Sequence, residues 1–137
     1  LRTLKAQVLW RKSNVVIAIW GLAYKPNTRS VKNSPTLALI DALQGVSVRL
    51  YDPSAILDGV YENVSQVASA VDACRGAHAL VIMTSWEEFS TISMHAVKEF
   101  LEKAVVIDPS GSWKDRDPEM SGFIYSTLGR PLPKAEI

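Results

Sequence analysis

The chain has 137 residues, with 15 lysines and arginines against 14 aspartates and glutamates, a formal net charge of +1. That near-neutrality argues against a general nucleic-acid or membrane-surface role, either of which wants a strong basic excess. An apolar share of 47% with 21% charged residues describes a globular domain rather than a disordered one. A single cysteine, Cys74, excludes an internal disulfide framework and a multi-cysteine zinc site. No apolar run approaches the roughly 20 residues of a spanning helix. The start, Leu1-Arg2-Thr3, has neither an initiator methionine nor a signal-peptide pattern, which suggests a domain cut from a longer protein.

Residues 1–14 mix apolar and basic types, with Leu4, Val8 and Leu9 on a short helical face, and read as a linker or helix end. Val15 to Trp20 is a continuous apolar run, the pattern of a strand covered on both faces, and Gly21 ends it. A helix is predicted from Pro35 to Gln44, with Leu37, Leu39, Ile40 and Leu43 inward. Ser34 serves as its N-cap and Gly45 as its stop. Val46 to Tyr51 reads as a second strand closed by Asp52-Pro53, and Gln66 to Arg75 as a second helix ended by Gly76. Ala79 to Met83 is a third buried strand, and Ser93 to Lys103 a helix with Val97, Phe100 and Leu101 inward. Ala104 to Ile107 is a fourth strand, stopped by Asp108-Pro109; Phe123 to Tyr125 is a short last strand. Residues 131–137 look like a tail, leaving residues 15–130 as the domain. Strands alternating with helices at this spacing imply an α/β fold, a Rossmann-like three-layer sandwich with a mostly parallel sheet.

In such sheets ligands bind beyond the carboxyl ends of the strands. The first of these loops, from Gly21 to Asn33, is long for a strand-to-helix link, whose usual length is about 2–6 residues. It carries Lys25, Arg29 and Lys32 and no carboxylate, and it feeds the amino end of a helix, where unpaired N–H groups and the dipole favour anions. This reads as a phosphate site; chance enrichment of a polar loop is the competing explanation. A dinucleotide fingerprint is missing, since no second or third glycine follows Gly21 at the G-x-G-x-x-G spacing. Asp52 is either a turn residue or a ribose contact. Trp86 is either a wall of a binding site, beside the hydroxyls of Thr84 and Ser85, or sheet-edge packing with Phe89. Asp108, Ser110 and Gly111 divide in the same way. Cys74 reads as a small core residue, and His78 and His95 have no partners at metal-ligand spacing. A receiver domain is excluded, because the acidic residues it needs after the first and third strands are replaced by Gly21-Leu22 and Thr84-Ser85.

Trp20-Gly-Leu-Ala-Tyr-Lys-Pro-Asn-Thr28, followed by Ser34-Pro35, resembles the start of the C-terminal domain of the UDP-glucose/GDP-mannose dehydrogenase family. Tyr51-Asp52-Pro53, Thr84-Ser-Trp86-Glu87-Glu-Phe89, Val105-Val-Ile-Asp108, Gly122-Phe-Ile-Tyr125 and Leu128-Gly-Arg130 agree in order and spacing. The resemblance implies a cytoplasmic enzyme that oxidises the C6 alcohol of a nucleotide sugar to a carboxylate with two NAD and a cysteine thioester. The NAD-binding domain, the middle domain and that cysteine would lie upstream of this chain. This domain would bind the nucleotide part of a UDP-sugar and close the cleft, with no catalytic residue of its own, no metal, and no nucleic-acid or membrane partner. By position, the resemblance places Tyr24, Lys25, Thr28 and Arg29 on the substrate and Lys32 toward an NAD phosphate. Two departures stand out: Lys32 replaces the family's usual arginine, losing the planar fork, and Ser110 stands where members often carry another arginine. A degenerate or stand-alone nucleotide-binding or protein-interaction domain is the alternative, and a NAD-binding domain in its own right is disfavoured by the missing glycines.

Overall fold

The computed structural model describes residues 14–127; the expectations for the first residues and for the tail lie outside them. β1 (Val16–Trp20), β2 (Ser47–Tyr51), β3 (Val64–Gln66), β4 (Ala79–Ile82), β5 (Val105–Asp108) and β6 (Ile124–Thr127) form one sheet in the order β3-β2-β1-β4-β5-β6. Every neighbouring pair is parallel, so the sheet is wholly rather than mostly so. Strand order reverses between β1 and β4, which makes the crevice between their carboxyl ends the natural ligand position of this doubly wound fold.

The helices are α1 (Pro35–Ala42), α2 (Ala70–Cys74), α3 (Glu87–Thr91) and α4 (Met94–Phe100), with a 3-10 turn at Pro118–Ser121. The apolar strands bury side chains on both faces, giving two cores. One gathers Ile17, Ile19, Val48, Leu50 and Val81 under Ile40 and Leu43 at the α1 end. On this face the link from β2 to β3 has no helix, and Ala55, Leu57 and Tyr61 cover the sheet instead. The other core packs Ala18, Trp20, Leu80, Ile82 and Val106 against Ala73, Cys74, Phe89, Val97 and Trp113. Trp20 stacks on Phe89 with ring centroids 5.1 Å apart, and its indole N–H donates to the Ala70 carbonyl at 2.8 Å.

Four expectations shift. β3 occupies residues the sequence assigns partly to a helix; α2 begins only at Ala70, where the Ser69 side chain accepts from the Asp72 N–H. α3 is a helix not expected from the pattern. α4 stops at Phe100 because Leu101 turns extended to lead into β5. The last strand runs two residues past Tyr125. Among the described residues, no helix is long and apolar enough to cross a membrane.

Candidate anion-binding site

Gly21 leaves β1 with φ +103°, and only glycine fits there. A Cβ would sit 2.1 Å from the Thr84 Oγ1 and 2.9 Å from the Thr84 backbone nitrogen. The chain therefore turns tightly over the end of β4, at the point where strand order reverses. Its N–H still donates to the Tyr51 carbonyl at 2.7 Å, keeping the turn tied to β2.

Asp52 settles the next question. Its Oδ2 accepts from the N–H groups of Leu22 and Ala23 at 2.8 and 2.9 Å, and its Oδ1 from those of Ser54 and Ala55 at 2.8 and 2.6 Å. Both oxygens are engaged by backbone donors, three of the four buried, so Asp52 is a turn residue and holds nothing out to a ribose. The same bonds occupy the Leu22 and Ala23 N–H groups that open the first strand-to-helix turn. With Ala23 and Pro26 at the second and third fingerprint positions, this turn does not fit a dinucleotide pyrophosphate.

Beyond Ala23 the loop closes on itself. The Tyr24 N–H donates to the Ser30 carbonyl at 2.8 Å, the Ser30 N–H donates to the Thr28 Oγ1 at 3.2 Å, and Asn27 and Asn33 take left-handed φ of 62° and 59°. Two buried hydroxyls fasten its far end. The Ser34 Oγ accepts from the Thr36 N–H at 3.2 Å and donates to the Leu22 carbonyl at 2.7 Å; the Thr36 Oγ1 donates to the Gly21 carbonyl at 2.6 Å. The amino end of α1 is thereby fixed beside the end of β1.

The loop encloses a cleft of about 380 Å³ lined by Tyr24, Lys25, Thr28, Ser30, Lys32 and Asn33. Two ammonium groups and several hydroxyl and amide donors meet there with no carboxylate among the lining residues. Tyr24 is 55% exposed, a large aromatic ring left outside both cores. Arg29, the third cation expected, is exposed on the same loop but does not line the cleft. Ser30 and Asn33 do, and sequence reasoning passed over them. A larger hollow of about 640 Å³ lies at the amino end of β2, lined by Gln44 to Ser47 and Val60 to Asn63. It carries Glu62 and no cation, at the sheet edge opposite the loops.

Most of the remaining candidates are held in structural contacts, while the buried Thr84 hydroxyl has no hydrogen-bond partner among the described residues and Ser85 is exposed. Burial pushes the Cys74 thiol up to about 12, which makes it inert at neutral pH. The His78 Nδ1 accepts from the Val16 N–H at 3.1 Å, and His95 pairs on the surface with Glu99 at 3.4 Å. No cluster of three metal-ligating side chains occurs among the described residues. Asp108 repeats the Asp52 arrangement: its Oδ1 accepts from the Ser110 hydroxyl and Ser112 N–H, its Oδ2 from the Trp113 N–H and Tyr125 hydroxyl. Phe89 is core and Trp86 is half-buried against it. The Tyr51 hydroxyl donates to Glu88 at 2.8 Å, and burial together with that carboxylate raises its pKa well above the usual phenol range.

A doubly wound sheet with a cationic, acid-free loop at its switch point, but without the glycines of a dinucleotide turn, defines a Rossmann-like domain. The chain belongs to the UDP-glucose/GDP-mannose dehydrogenase family, whose UDP binding domain model matches residues 18–115. It is 34% identical over 120 residues to the UDP-glucose 6-dehydrogenase TuaD of Bacillus subtilis, covering 84% of this chain and 26% of that protein. It is 32% identical over 124 residues to the UDP-glucose 6-dehydrogenase of Rhizobium meliloti, covering 84% of this chain and 27% of that one. The chain thus spans about a quarter of the length of these relatives. Among solved structures it superimposes on a UDP-D-ManNAc dehydrogenase from Pyrococcus horikoshii with a TM-score of 0.74 at 29% identity, over 94% of this chain and 28% of that one. An NDP-N-acetyl-D-galactosaminuronic acid dehydrogenase from Methanosarcina mazei shares the fold, with a TM-score of 0.77 at 24% identity over 94% of this chain and 28% of that one.

Proposed function

We propose that this chain is the nucleotide-sugar binding domain of an NAD-dependent nucleotide-sugar 6-dehydrogenase, holding the UDP part of the substrate and closing the cleft over it. The observation that carries the reading is the cleft of loop 21–33: Lys25 and Lys32, donors from Thr28, Ser30 and Asn33, and no opposing carboxylate. A diphosphate needs its charge neutralised by groups already in place, and a loop fixed at both ends supplies them with little reordering. Lys25 is assigned to the diphosphate and Tyr24 to a flat face of the ligand, with Thr28 as a hydroxyl donor and Arg29 as a flanking cation that adds attraction at longer range. Lys32, exposed on the rim, is assigned to a phosphate of NAD held by an upstream domain. NAD supplies hydride acceptance in the whole enzyme, and the residues of this domain hold none of its reacting atoms. In this reading the natural setting is the cytoplasm and the partners are the NAD-binding and middle domains.

Calorimetric titration of the 137-residue chain with UDP, uridine and inorganic phosphate at two ionic strengths tests this. UDP should bind, uridine far more weakly, and added salt should weaken the UDP affinity, because exposed charges at this range are screened. Equal binding of UDP and uridine, or no heat with UDP at millimolar concentration, contradicts the reading.

A further inference from the structure

The described helices cover the two faces of the sheet unevenly. Alternation along the strands, with their pairing register, puts Ala79 and Val81 of β4, Met83 just after it, Val105 and Ile107 of β5 and Ile124 of β6 on the face that α1 shares. α1 follows β1, and its right-handed crossover to β2 lays it over those two strands. The link from β2 to β3 covers the far edge of this face with Ala55, Leu57 and Tyr61. The other three helices pack on the opposite face, through Ala73, Phe89 and Val97. No described helix is left for β4, β5 and β6 on the α1 face. Yet Ala79, Val81 and Val105 are 0, 3 and 0% exposed there, and Ile124 on the edge strand opens only to 36%. A buried apolar row needs other atoms packed over it.

Residues 1–13 have the attachment point, the length and the composition to supply that cover. They join the described chain at Asn14, whose left-handed φ of 59° turns the backbone into β1. That point lies beside β4: the His78 N–H donates to the Val16 carbonyl at 2.8 Å, and the His78 Nδ1 accepts from the Val16 N–H at 3.1 Å. Thirteen residues wound as a helix reach about 20 Å, against about 17 Å for a five-residue strand. Leu1, Leu4 and Val8 recur at i, i+3 and i+7 and make one apolar stripe. The segment has no carboxylate, and Arg2, Lys5, Arg11 and Lys12 have stems long enough to reach water from beside that stripe. Residues 128–137 fit less well, because Pro131 and Pro133 bar a helix through them.

We propose that residues 1–13 dock as a helix on the α1 face of the sheet, across β4 and β5 and antiparallel to them, with Leu1, Leu4 and Val8 against Val81, Met83, Val105 and Ile107. The helix hands the chain to β1 at the amino edge, so its own start lies at the carboxyl edge, the side that holds the cationic cleft. Any residues preceding Leu1 would therefore arrive beside that cleft rather than at the opposite end of the sheet. The docking rests on this chain's own packing and is independent of which anion the cleft takes.

The test uses the full 137-residue chain carrying a nitroxide on Thr3→Cys, a position off the apolar stripe; Cys74 is buried and stays unlabelled. Paramagnetic broadening should be strongest for the methyl signals of Met83 and Ile107, toward the carboxyl ends of β4 and β5. It should spare Val60, in the hollow at the amino end of β2. Mixing the nitroxide-bearing chain with isotope-labelled parent should leave the parent's Met83 and Ile107 signals sharp. Equal broadening in that mixture would assign the face to a second copy and overturn the proposal. Broadening centred on Val60 and Tyr61, or none at any one place, would overturn it as well. Leu4→Asp should lower the melting temperature by about 5 °C or more and let a hydrophobic dye bind, while Thr3→Asp should melt near the parent. A Leu4→Asp chain that melts with the parent and binds no more dye would contradict the docking, and if that variant fails to fold, the Thr3→Cys label decides.

Discussion

Single side chains at the strand ends fix the backbone around the cationic loop. Asp52 is the clearest instance, because its carboxylate occupies the backbone donors that a dinucleotide would otherwise use. Asp52→Asn keeps the shape but replaces one acceptor oxygen by a donor, orphaning buried N–H groups at about 1–3 kcal/mol each. Chemical denaturation should show that loss, without any gain of NAD binding. Gly21→Ala should be at least as damaging, since it combines a left-handed φ with a contact of 2.1 Å to Thr84; about 1–3 kcal/mol is expected from backbone strain alone. Cys74 sets a pH dependence of a known sign. Burial keeps the thiol protonated in the folded state up to about 12, from an ordinary 9.0. Between those values the unfolded chain binds fewer protons than the folded one, so stability is complete below pH 9 and falls as pH rises. Denaturation midpoints measured across that alkaline range should lose part of this slope in Cys74→Ala, and the folded thiol should resist alkylation at neutral pH.

At the scale of elements, the two Asp-Pro strand ends do the same work. Asp52 just after β2 and Asp108 at the last position of β5 each collect N–H groups of the following turn, and each thereby fixes a loop at the carboxyl edge. The helix after the first loop is fixed by Ser34, and Ser34→Ala should destabilise the chain by about 1 kcal/mol from the lost cap, with a further penalty for the orphaned Leu22 carbonyl; thermal melts give the readout. The long apolar strands were legible because burial on both faces writes itself as unbroken Val, Ile, Leu and Ala runs. β3 was not, since a three-residue edge strand with Val64 as its only apolar side chain carries no period to read. α1 shows the middle case. Ile40 and Leu43 point inward as the pattern requires, but Thr36 is also buried, because its hydroxyl reaches the Gly21 carbonyl. Hydrogen bonds between distant segments leave no periodicity, so the sequence leaves Asp52 open between turn and ribose contact, and only its bonds to Leu22, Ala23, Ser54 and Ala55 in the fold decide for the turn. The cationic loop itself was visible as composition: Lys25 and Lys32 in a stretch without acids, although Arg29 falls outside the cleft they share.

For the molecule as a whole, two cores lie on the two faces of one parallel sheet, which should let the domain fold without a cofactor. Trp20, Trp113 and Phe89 fill one face, and Ile17, Ile19, Leu50 and Ile40 the other. Near-ultraviolet circular dichroism of the chain without NAD should therefore show fixed aromatic packing, and adding NAD should leave the spectrum unchanged. The same chain should produce no NADH from UDP-glucose and NAD, because its single thiol is buried in α2, away from the strand ends.

The central claim is that loop 21–33 cradles the diphosphate of a nucleotide sugar, and UDP titration of the parent beside Lys25→Ala and Lys32→Ala measures it most directly. Loss of one charge-assisted phosphate contact is worth about 1.5–3 kcal/mol, roughly ten- to a hundredfold in affinity. Lys25→Ala should show a loss of that size. Lys32→Ala should show a smaller one, its partner being a cofactor phosphate absent from the titration. Equal UDP affinity in all three proteins, or NMR shifts confined to loops away from residues 21–35, would contradict the assignment.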